Sequence, residues 1–154
     1  MRITEAFENG PLLIVYLCSG DPSPGATPEL VRRLVGAGAD IIELGLPHSD
    51  PIADGPTIQA AAQRAIAAGM NTDVYFQVAE EADVPVPKVF MGYYNMVYAR
   101  GPERFARDCA RCGITGMIVP DLPPEEAAPL KEACGKHGVD LIYAVAPNTP
   151  PARI

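Results

Sequence analysis

The stretch from Glu43 to Gln59 reads ELGLPHSDPIADGPTIQ and carries three carboxylates, on Glu43, Asp50 and Asp54. It joins an apolar run to an alanine-rich run that begins near Gly55. Two carboxyl groups in different surroundings can divide the roles of general acid and general base, because the surroundings of each group set its pKa. The spacing therefore predicts proton-transfer chemistry in a loop between a strand and a helix.

Glu43 is the strongest candidate because it ends an apolar strand. Side chains alternate along a strand, so if Ile42 and Leu44 face a helix layer, Glu43 faces the opposite side. Ile41 and Gly45 then share that side with Glu43. Burial there raises the pKa of a carboxyl group and suits it to donate and accept protons. A glutamate in this position has no evident structural role.

Asp54 lies eleven residues after Glu43, where the loop returns to the start of a helix. Two roles are open for it. It is either the second carboxylate of the site or an N-cap that accepts hydrogen bonds from the free N–H groups of the helix. For Asp50 a structural role is favoured, because Ser-Asp-Pro is a turn-forming sequence.

Five apolar runs alternate with helical patterns along the chain. The predicted strands lie in PLLIVYLC, ADIIELGLP, VPKVFMGYYN, TGMIVPDLP and VDLIYAVAPN. This alternation predicts βαβ units and a parallel sheet buried on both faces. Elaborate loops follow the strands, and no strand is followed by G-x-G-x-x-G or a P-loop. The pattern therefore favours an α/β fold of the (β/α)8 TIM-barrel type over a doubly wound sheet.

The helices are predicted in TPELVRRLVGAGA, GPTIQAAAQRAIAAG, NTDVYFQVAEEA, PERFARDCARCG and PEEAAPLKEACGKHG. Thr27 is the candidate N-cap of the first, with Pro28 at the first helical position. Pro124 is the candidate first residue of the last, where Glu125 and Glu126 favour the positive helix end.

The length predicts a single domain over residues 1–154 that is an incomplete barrel. A barrel of about 250 residues allots about 31 residues to each βα unit. The 154 residues hold about five of the eight units, and the sequence stops just after its fifth predicted strand. We therefore expect the last three βα units to be missing from this sequence.

The formal net charge is −7 and the chain has no basic run, which argues against nucleic acid and anionic membranes as partners. The first residues lack the apolar core of a signal peptide, and no apolar run approaches the ~20 residues of a membrane helix. We expect a cytoplasmic protein, in which the four cysteines are reduced.

Two short runs, CARC and CGKH, resemble the spacing of a zinc ligand set in which the ligands are Cys109, Cys112, Cys134 and His137. Both runs have helical character and lack the tight turns of a zinc knuckle. We therefore predict structural cysteines and no metal.

The stretch from Glu43 to Gln59 resembles the signature of the tryptophan synthase α subunit family, which reads close to E-L-G-x-P-[FY]-S-D-P-x-A-D-G-P-x-I-Q. The agreement is dense and ungapped. Similar stretches are YLCSGDP, GYYNMVYARGPERF, GITGMIVPDLPPEE and APNTP. The resemblance covers the chain from end to end, about the first three-fifths of a family member. One departure is His48, where the family usually has Phe or Tyr, and it affects the packing of the loop more than the chemistry.

The resemblance implies a lyase reaction of tryptophan biosynthesis, the retro-aldol cleavage of indole-3-glycerol phosphate to indole and glyceraldehyde 3-phosphate. It implies no cofactor in this subunit. By position, Glu43 protonates C3 of the indole ring and then acts as base toward the glycerol hydroxyl. Asp54 binds the indole N–H and stabilises positive charge on the ring.

The resemblance also implies an indole pocket and a partner. The pocket positions are Tyr16, Met91, Tyr93 and Ile118. Packing in the barrel core is an equal alternative for Met91 and Ile118. The implied partner is a pyridoxal-phosphate-dependent β subunit in an α2β2 assembly. The positions implied at its interface are Pro47, Asp50, Asn95 and Asp121.

The family's phosphate site lies in loops after the last strands, which this sequence does not contain. Because binding of a remote phosphate positions the reacting end of a substrate, we expect little or no activity from these residues alone. The alternative function is a non-catalytic half-barrel that acts only as an interaction and self-associating module through exposed strand edges.

Overall fold

The computed structural model describes residues 3–153, with the backbone alone at residue 9. Its five strands are β1 (Ile14–Cys18), β2 (Ile41–Gly45), β3 (Lys88–Met91), β4 (Ile114–Ile118) and β5 (Asp140–Ile142). They form one parallel sheet in the order β1-β2-β3-β4-β5. A doubly wound sheet reverses its strand order at a switch point, whereas consecutive neighbours are the arrangement of a barrel. The predicted parallel sheet of five strands is confirmed.

The helices within residues 3–153 are α1 (Ile3–Ala6), α2 (Thr27–Gly36), α3 (Pro56–Ala67), α4 (Thr72–Glu81), α5 (Tyr94–Arg100), α6 (Pro102–Arg111) and α7 (Ala128–His137). Short 3-10 turns occupy Phe7–Asn9, Pro24–Ala26 and Pro151–Arg153. The sequence patterns did not predict α1 and α5, because both helices are too short to show a helical period. Gly101, at φ 88°, separates α5 from α6.

The predicted N-cap role of Thr27 is wrong. The turn Pro24–Ala26 leads directly into α2, so the N-cap is Ala26 and Thr27 is already helical. The buried Thr27 hydroxyl instead accepts a hydrogen bond from the Gly20 N–H at 2.9 Å. Thr27 thereby ties the loop after β1 to the start of α2.

The predicted start of the last helix at Pro124 is also wrong. Backbone hydrogen bonds from Glu126 to Pro123 and from Ala127 to Pro124 close turns in this segment. The helix α7 begins only at Ala128, and Pro129 is the proline of its first turn. Pro124 and Pro129 could each stand in the first turn of a helix, and the helix that forms is the one with Pro129.

The two faces of the sheet have different surroundings, as the alternation in β2 predicted. Ile42 and Leu44 are fully buried in the cluster formed with the helices. On the opposite face, Ile41 packs in a small separate cluster with Ile3 of α1 and Val89 of β3. The face that carries Glu43 is therefore covered by little more than α1.

No helix among residues 3–153 combines the length and the apolar character needed to cross a bilayer.

Candidate active site

Glu43 lies in the middle of β2, between Tyr16 of β1 and Val89 of β3. Its side chain is half-buried and lines a cavity of about 150 Å³. The other residues lining this cavity are all apolar: Ile3, Phe7, Ile14, Ile41, Val89, Ile118 and Ile142. Burial raises the pKa of Glu43 above its ordinary value of 4.5, because a low-dielectric surrounding disfavours the carboxylate. Glu43 therefore keeps its proton to a higher pH than an exposed glutamate does.

Asp54 is held by a tyrosine from the neighbouring strand connection. The Tyr93 hydroxyl donates to Oδ2 of Asp54 at 3.0 Å and accepts from the Ala53 N–H at 2.9 Å. The Gln59 amide donates to the Asp54 carbonyl at 2.8 Å. The N-cap of α3 is Gly55, and no side chain caps the helix. Of the two roles left open for Asp54, the N-cap is therefore not the one found.

Tyr16 reaches across the sheet onto Gly45, the last residue of β2. A Cβ added at Gly45 would lie 2.7 Å from ring atoms of Tyr16, a distance that real side chains do not tolerate. Burial, then the nearby Cys18, Asp54 and Glu43, raise the pKa of Tyr16. Its hydroxyl therefore lies within electrostatic reach of both candidate carboxylates, and Gly45 provides the room for it.

Cys18 hydrogen-bonds with the Tyr16 side chain, and burial raises the pKa of its thiol to about 11. The thiol is therefore protonated at neutral pH and a poor nucleophile. The adjacent loop is fixed by Asp21, which accepts two hydrogen bonds from Arg64 of α3 at 2.9 and 2.7 Å. This hydrogen-bonded guanidinium lowers the pKa of Asp21. Cys18 is thus a neutral, buried residue at the end of β1, and an ion pair fixes the loop that follows it.

Met91 and Ile118 share the sheet face of Glu43. Met91 pairs with Gly45 on one side and with Ile118 on the other. Both side chains are half-buried, and Ile118 lines the cavity beside Glu43. The placement of Ile118 at the cavity fits a pocket wall, whereas Met91 is half-buried on the same face.

Of the residues expected at a partner interface, Pro47, Asp50 and Asp121 lie in the loops after β2 and β4, and Asn95 lies in α5, which follows β3. Asp50, Asn95 and Asp121 are exposed, whereas Pro47 is buried within the chain. Asp121 also has an internal role, since its Oδ1 accepts from the Tyr94 N–H at 2.9 Å. These loops are joined to one another at the carboxyl ends of the strands, where barrel sites lie.

The four residues with zinc-like spacing are either buried as free thiols or hydrogen-bonded to other groups. Cys109 and Cys134 are buried and free, the Cys112 thiol donates to the Phe76 carbonyl, and His137 lies 2.8 Å from a Glu103 oxygen. Among residues 3–153, no three His, Cys, Asp or Glu side chains are grouped so that they could hold a metal ion.

Two features of the site were not predicted from the sequence. The hydrogen bond from Tyr93 to Asp54 joins residues 39 positions apart, and no local pattern reports such a contact. The packing of Tyr16 on Gly45 had a signal, since a glycine inside a strand marks close approach of another group.

A family model described as tryptophan synthase alpha chain matches residues 4–154. The tryptophan synthase alpha chain of Methanosarcina barkeri (strain Fusaro / DSM 804) is 56% identical over 142 residues, covering 92% of this chain and 54% of the relative. That of Halobacterium salinarum (strain ATCC 29341 / DSM 671 / R1) is 46% identical over 155 residues, covering 98% and 56%. The chain therefore spans little more than half the length of these relatives.

Solved structures agree with the sequence comparison. Tryptophan synthase subunit alpha from Legionella pneumophila str. Paris superposes with a TM-score of 0.94 at 38% identity, covering 99% of this chain and 61% of that chain. Tryptophan synthase from M. tuberculosis superposes with a TM-score of 0.89 at 40% identity, covering 94% and 59%. These matches confirm the barrel fold class, with about five βα units present in this chain.

Proposed function

The chain belongs to the tryptophan synthase alpha chain family, and we propose from this that it supplies the acid–base residues of a lyase. The reaction is cleavage of indole-3-glycerol phosphate to indole and glyceraldehyde 3-phosphate. The observation that carries the proposal is the placement of Glu43, a carboxyl with a raised pKa at an apolar cavity. An apolar cavity suits an indole ring, and a protonated carboxyl suits transfer of a proton to carbon.

Glu43 acts first as an acid and then as a base. Its proton passes to C3 of the indole ring, which leaves the ring nitrogen positively charged and Glu43 ionised. The carboxylate then takes the proton of the hydroxyl on the carbon attached to C3. The carbon–carbon bond breaks, the new carbonyl becomes glyceraldehyde 3-phosphate, and the bonding electrons return to the ring. A carboxyl whose pKa is raised toward neutrality can serve in both steps.

Asp54 stabilises the positive ring by accepting a hydrogen bond from the indole N–H. Such a charge-assisted bond is strongest when the nitrogen is cationic, so it favours the protonated intermediate over the substrate. The Tyr93 hydroxyl fixes the carboxylate from one side, at 3.0 Å from Oδ2. Tyr16, Met91, Tyr93 and Ile118 form the walls that hold the ring between the two carboxylates.

Features of the whole protein belong to the proposal as well. We propose that the remaining βα units of the barrel, with the phosphate-binding loops, lie in the part of the relatives that this chain does not span. The partner is a β subunit in an α2β2 assembly, reached through the loops of Asp50, Asn95 and Asp121 with Pro47 beneath them. Pyridoxal phosphate belongs to that partner, and this chain needs no cofactor. We propose that the protein acts in the cytoplasm.

The non-catalytic interaction module is not favoured. Both carboxylates are retained, and the relatives that the chain matches are named as tryptophan synthase alpha chains. Residues 1–154 alone are nevertheless expected to release indole slowly, because remote phosphate binding normally positions the reacting end.

The test is indole release by the native gene product that contains residues 1–154. Glu43→Gln removes the transferable proton and should lower kcat by about 10²- to 10⁴-fold, the usual contribution of acid–base catalysis. Glu80→Gln, at an exposed position of α4, is the matched control and should leave kcat unchanged. If Glu43→Gln keeps the wild-type rate, the assignment of Glu43 is wrong; if the native protein releases no indole, the proposed reaction is wrong.

A further inference from the structure

His48 occupies the loop after β2, between the strand that carries Glu43 and the segment that carries Asp54. Its Nδ1 accepts a hydrogen bond from the Asp50 N–H at 3.0 Å. Its ring lies against the Tyr93 ring, with centroids 5.0 Å apart and planes tilted by 47°. The side chain is half-buried. His48 therefore joins its own loop to the residue that holds Asp54.

The hydrogen bond defines the form of the imidazole. A ring nitrogen that accepts from a backbone N–H carries no proton, so the proton of neutral His48 lies on Nε2. Protonation at Nδ1 places a donor opposite the Asp50 N–H, and the hydrogen bond is lost. Without this hydrogen bond, the rotation of the imidazole ring against Tyr93 is no longer fixed by the Asp50 N–H.

Tyr93 transmits this contact to Asp54. Its hydroxyl is held between the Ala53 N–H at 2.9 Å and Oδ2 of Asp54 at 3.0 Å. The geometry of both bonds depends on the position of the Tyr93 ring, and one side of that ring is packed by His48. A change in the rotation of His48 thus reaches Asp54 through one aromatic contact and one hydrogen bond.

We propose that His48 is a positioning residue for Asp54. In its neutral form it packs the Tyr93 ring so that the hydroxyl stays on the Asp54 carboxylate, and protonation at Nδ1 releases that arrangement. The use of Asp54 in catalysis rests on the proposed function. The coupling of His48 to Tyr93 and Asp54 does not depend on that function. It can be measured without substrate.

The titratable groups around His48 are all acidic apart from the tyrosine itself. Asp50 is on the same loop, Asp54 is bonded to Tyr93, and Asp121 acts on Tyr93 from the next strand connection. On the side of α3, His48 shares a hollow of about 200 Å³ with the uncharged Gln59 and Gln63. Among ordinary side chains, an imidazole is the one that can change its charge between pH 5 and 8.

Histidine NMR suits the test because the chain has two histidines, His48 and His137. His137 lies on α7 beside Glu103 and provides a titration of another imidazole in the same sample. With ¹⁵N-labelled histidine and ¹³C-labelled tyrosine, the His48 tautomer and the Tyr93 ring signals are followed from pH 8 to pH 5. A Tyr93→Phe sample identifies the Tyr93 signals.

The proposal predicts an unprotonated Nδ1 on His48 at pH 8 and Tyr93 signals that shift with the same midpoint as His48. His48→Phe keeps an aromatic ring but removes Nδ1, so the shift of the Tyr93 signals should be lost in this variant. His137→Phe should retain it. His48→Asn, which can accept from the Asp50 N–H but offers no ring, should leave the Tyr93 signals insensitive to pH.

Two results overturn the proposal. The first is that Tyr93 signals stay constant while His48 titrates. The second is that His48→Phe shows the same pH-dependent shift as the wild type. If the coupling is found but indole is not released by the native protein, the positioning role stands and the proposed reaction fails.

Discussion

The two faces of the sheet are packed differently. On the helix side, Ile42, Leu44, Phe90 and Met117 are all 0% exposed. On the other side, Ile14 is 46% exposed, Glu43 and Ile118 are half-buried beside a cavity, and Met91 is half-buried as well. The same five strands therefore present a sealed surface and an open one.

The sealed face is held by interlocking aromatic side chains. The Phe90 ring meets the rings of Tyr75 and Phe105 edge-on, at centroid distances of 5.9 and 4.9 Å. Such contacts add to the free energy of burying the rings themselves. Among the described residues, no edge-on aromatic pair is found at the cavity of the open face, and this face carries the carboxyl with the raised pKa. Stability is thus concentrated on one face, while the other leaves space for a ligand.

The largest expected effect comes from truncating a matched pair of methionines. Met117→Ala on the sealed face should lower the free energy of unfolding by about 2–5 kcal/mol, as for other buried methionines. Met91→Ala on the open face should cost less than half as much, because its side chain is already half-exposed. Urea unfolding followed by circular dichroism measures both. Equal losses in the two variants would contradict the division between the faces.

A smaller effect is expected at Gly45, a crowded point of the open face. Gly45→Ala places a Cβ against the Tyr16 ring and should cost about 1–3 kcal/mol, as overpacking usually does. Gly36→Ala is the control, since a Cβ there meets nothing within 4 Å. In a Tyr16→Ala background the cost of Gly45→Ala should shrink. If the cost is the same in both backgrounds, the two residues do not compete for space.

The smallest effect is a pH dependence of stability that arises from Glu43. Because burial raises its folded pKa above 4.5, the unfolded chain loses the Glu43 proton first as pH rises. Stability from the protonated carboxyl is complete below pH 4.5 and is lost as pH rises through the folded pKa. Glutamine does not ionise, so the Glu43→Gln variant does not lose this stability. Its free energy of unfolding relative to the wild type should therefore rise between pH 4 and pH 8. The Glu80→Gln control should show no such gain. If the stability of Glu43→Gln relative to the wild type falls as the pH rises, the folded pKa of Glu43 is not raised.

The sequence predicted what depends on local periodicity. The five strands, their parallel order and the side of β2 that Glu43 faces follow from apolar runs and alternation. The starts of α2 and α7 were predicted wrongly, because several prolines and a threonine offered competing helix starts within a few residues. Such competition is decided by tertiary contacts, such as the hydrogen bond from the Gly20 N–H to Thr27.

Contacts between distant loops could not be predicted. The sequence left two roles open for the Asp54 carboxylate, and no side chain caps α3. The hydrogen bond that Asp54 accepts from Tyr93, 39 residues away, has no local sequence signal. The contact of His48 with Tyr93 is likewise set by two loops that follow different strands. The sequence contains the side chains of the site, but the fold brings them together.

The central claim is that the open face is built for proton transfer around Glu43. Titration of the Glu43 carboxyl by ¹³C NMR, with Glu43→Gln used to assign the signal, tests it most directly. The account predicts a pKa above the ordinary 4.5 of a glutamate. A value at or below 4.5 would mean that the carboxyl is well solvated or paired with a cation, and it would contradict the assignment of Glu43 as the proton donor.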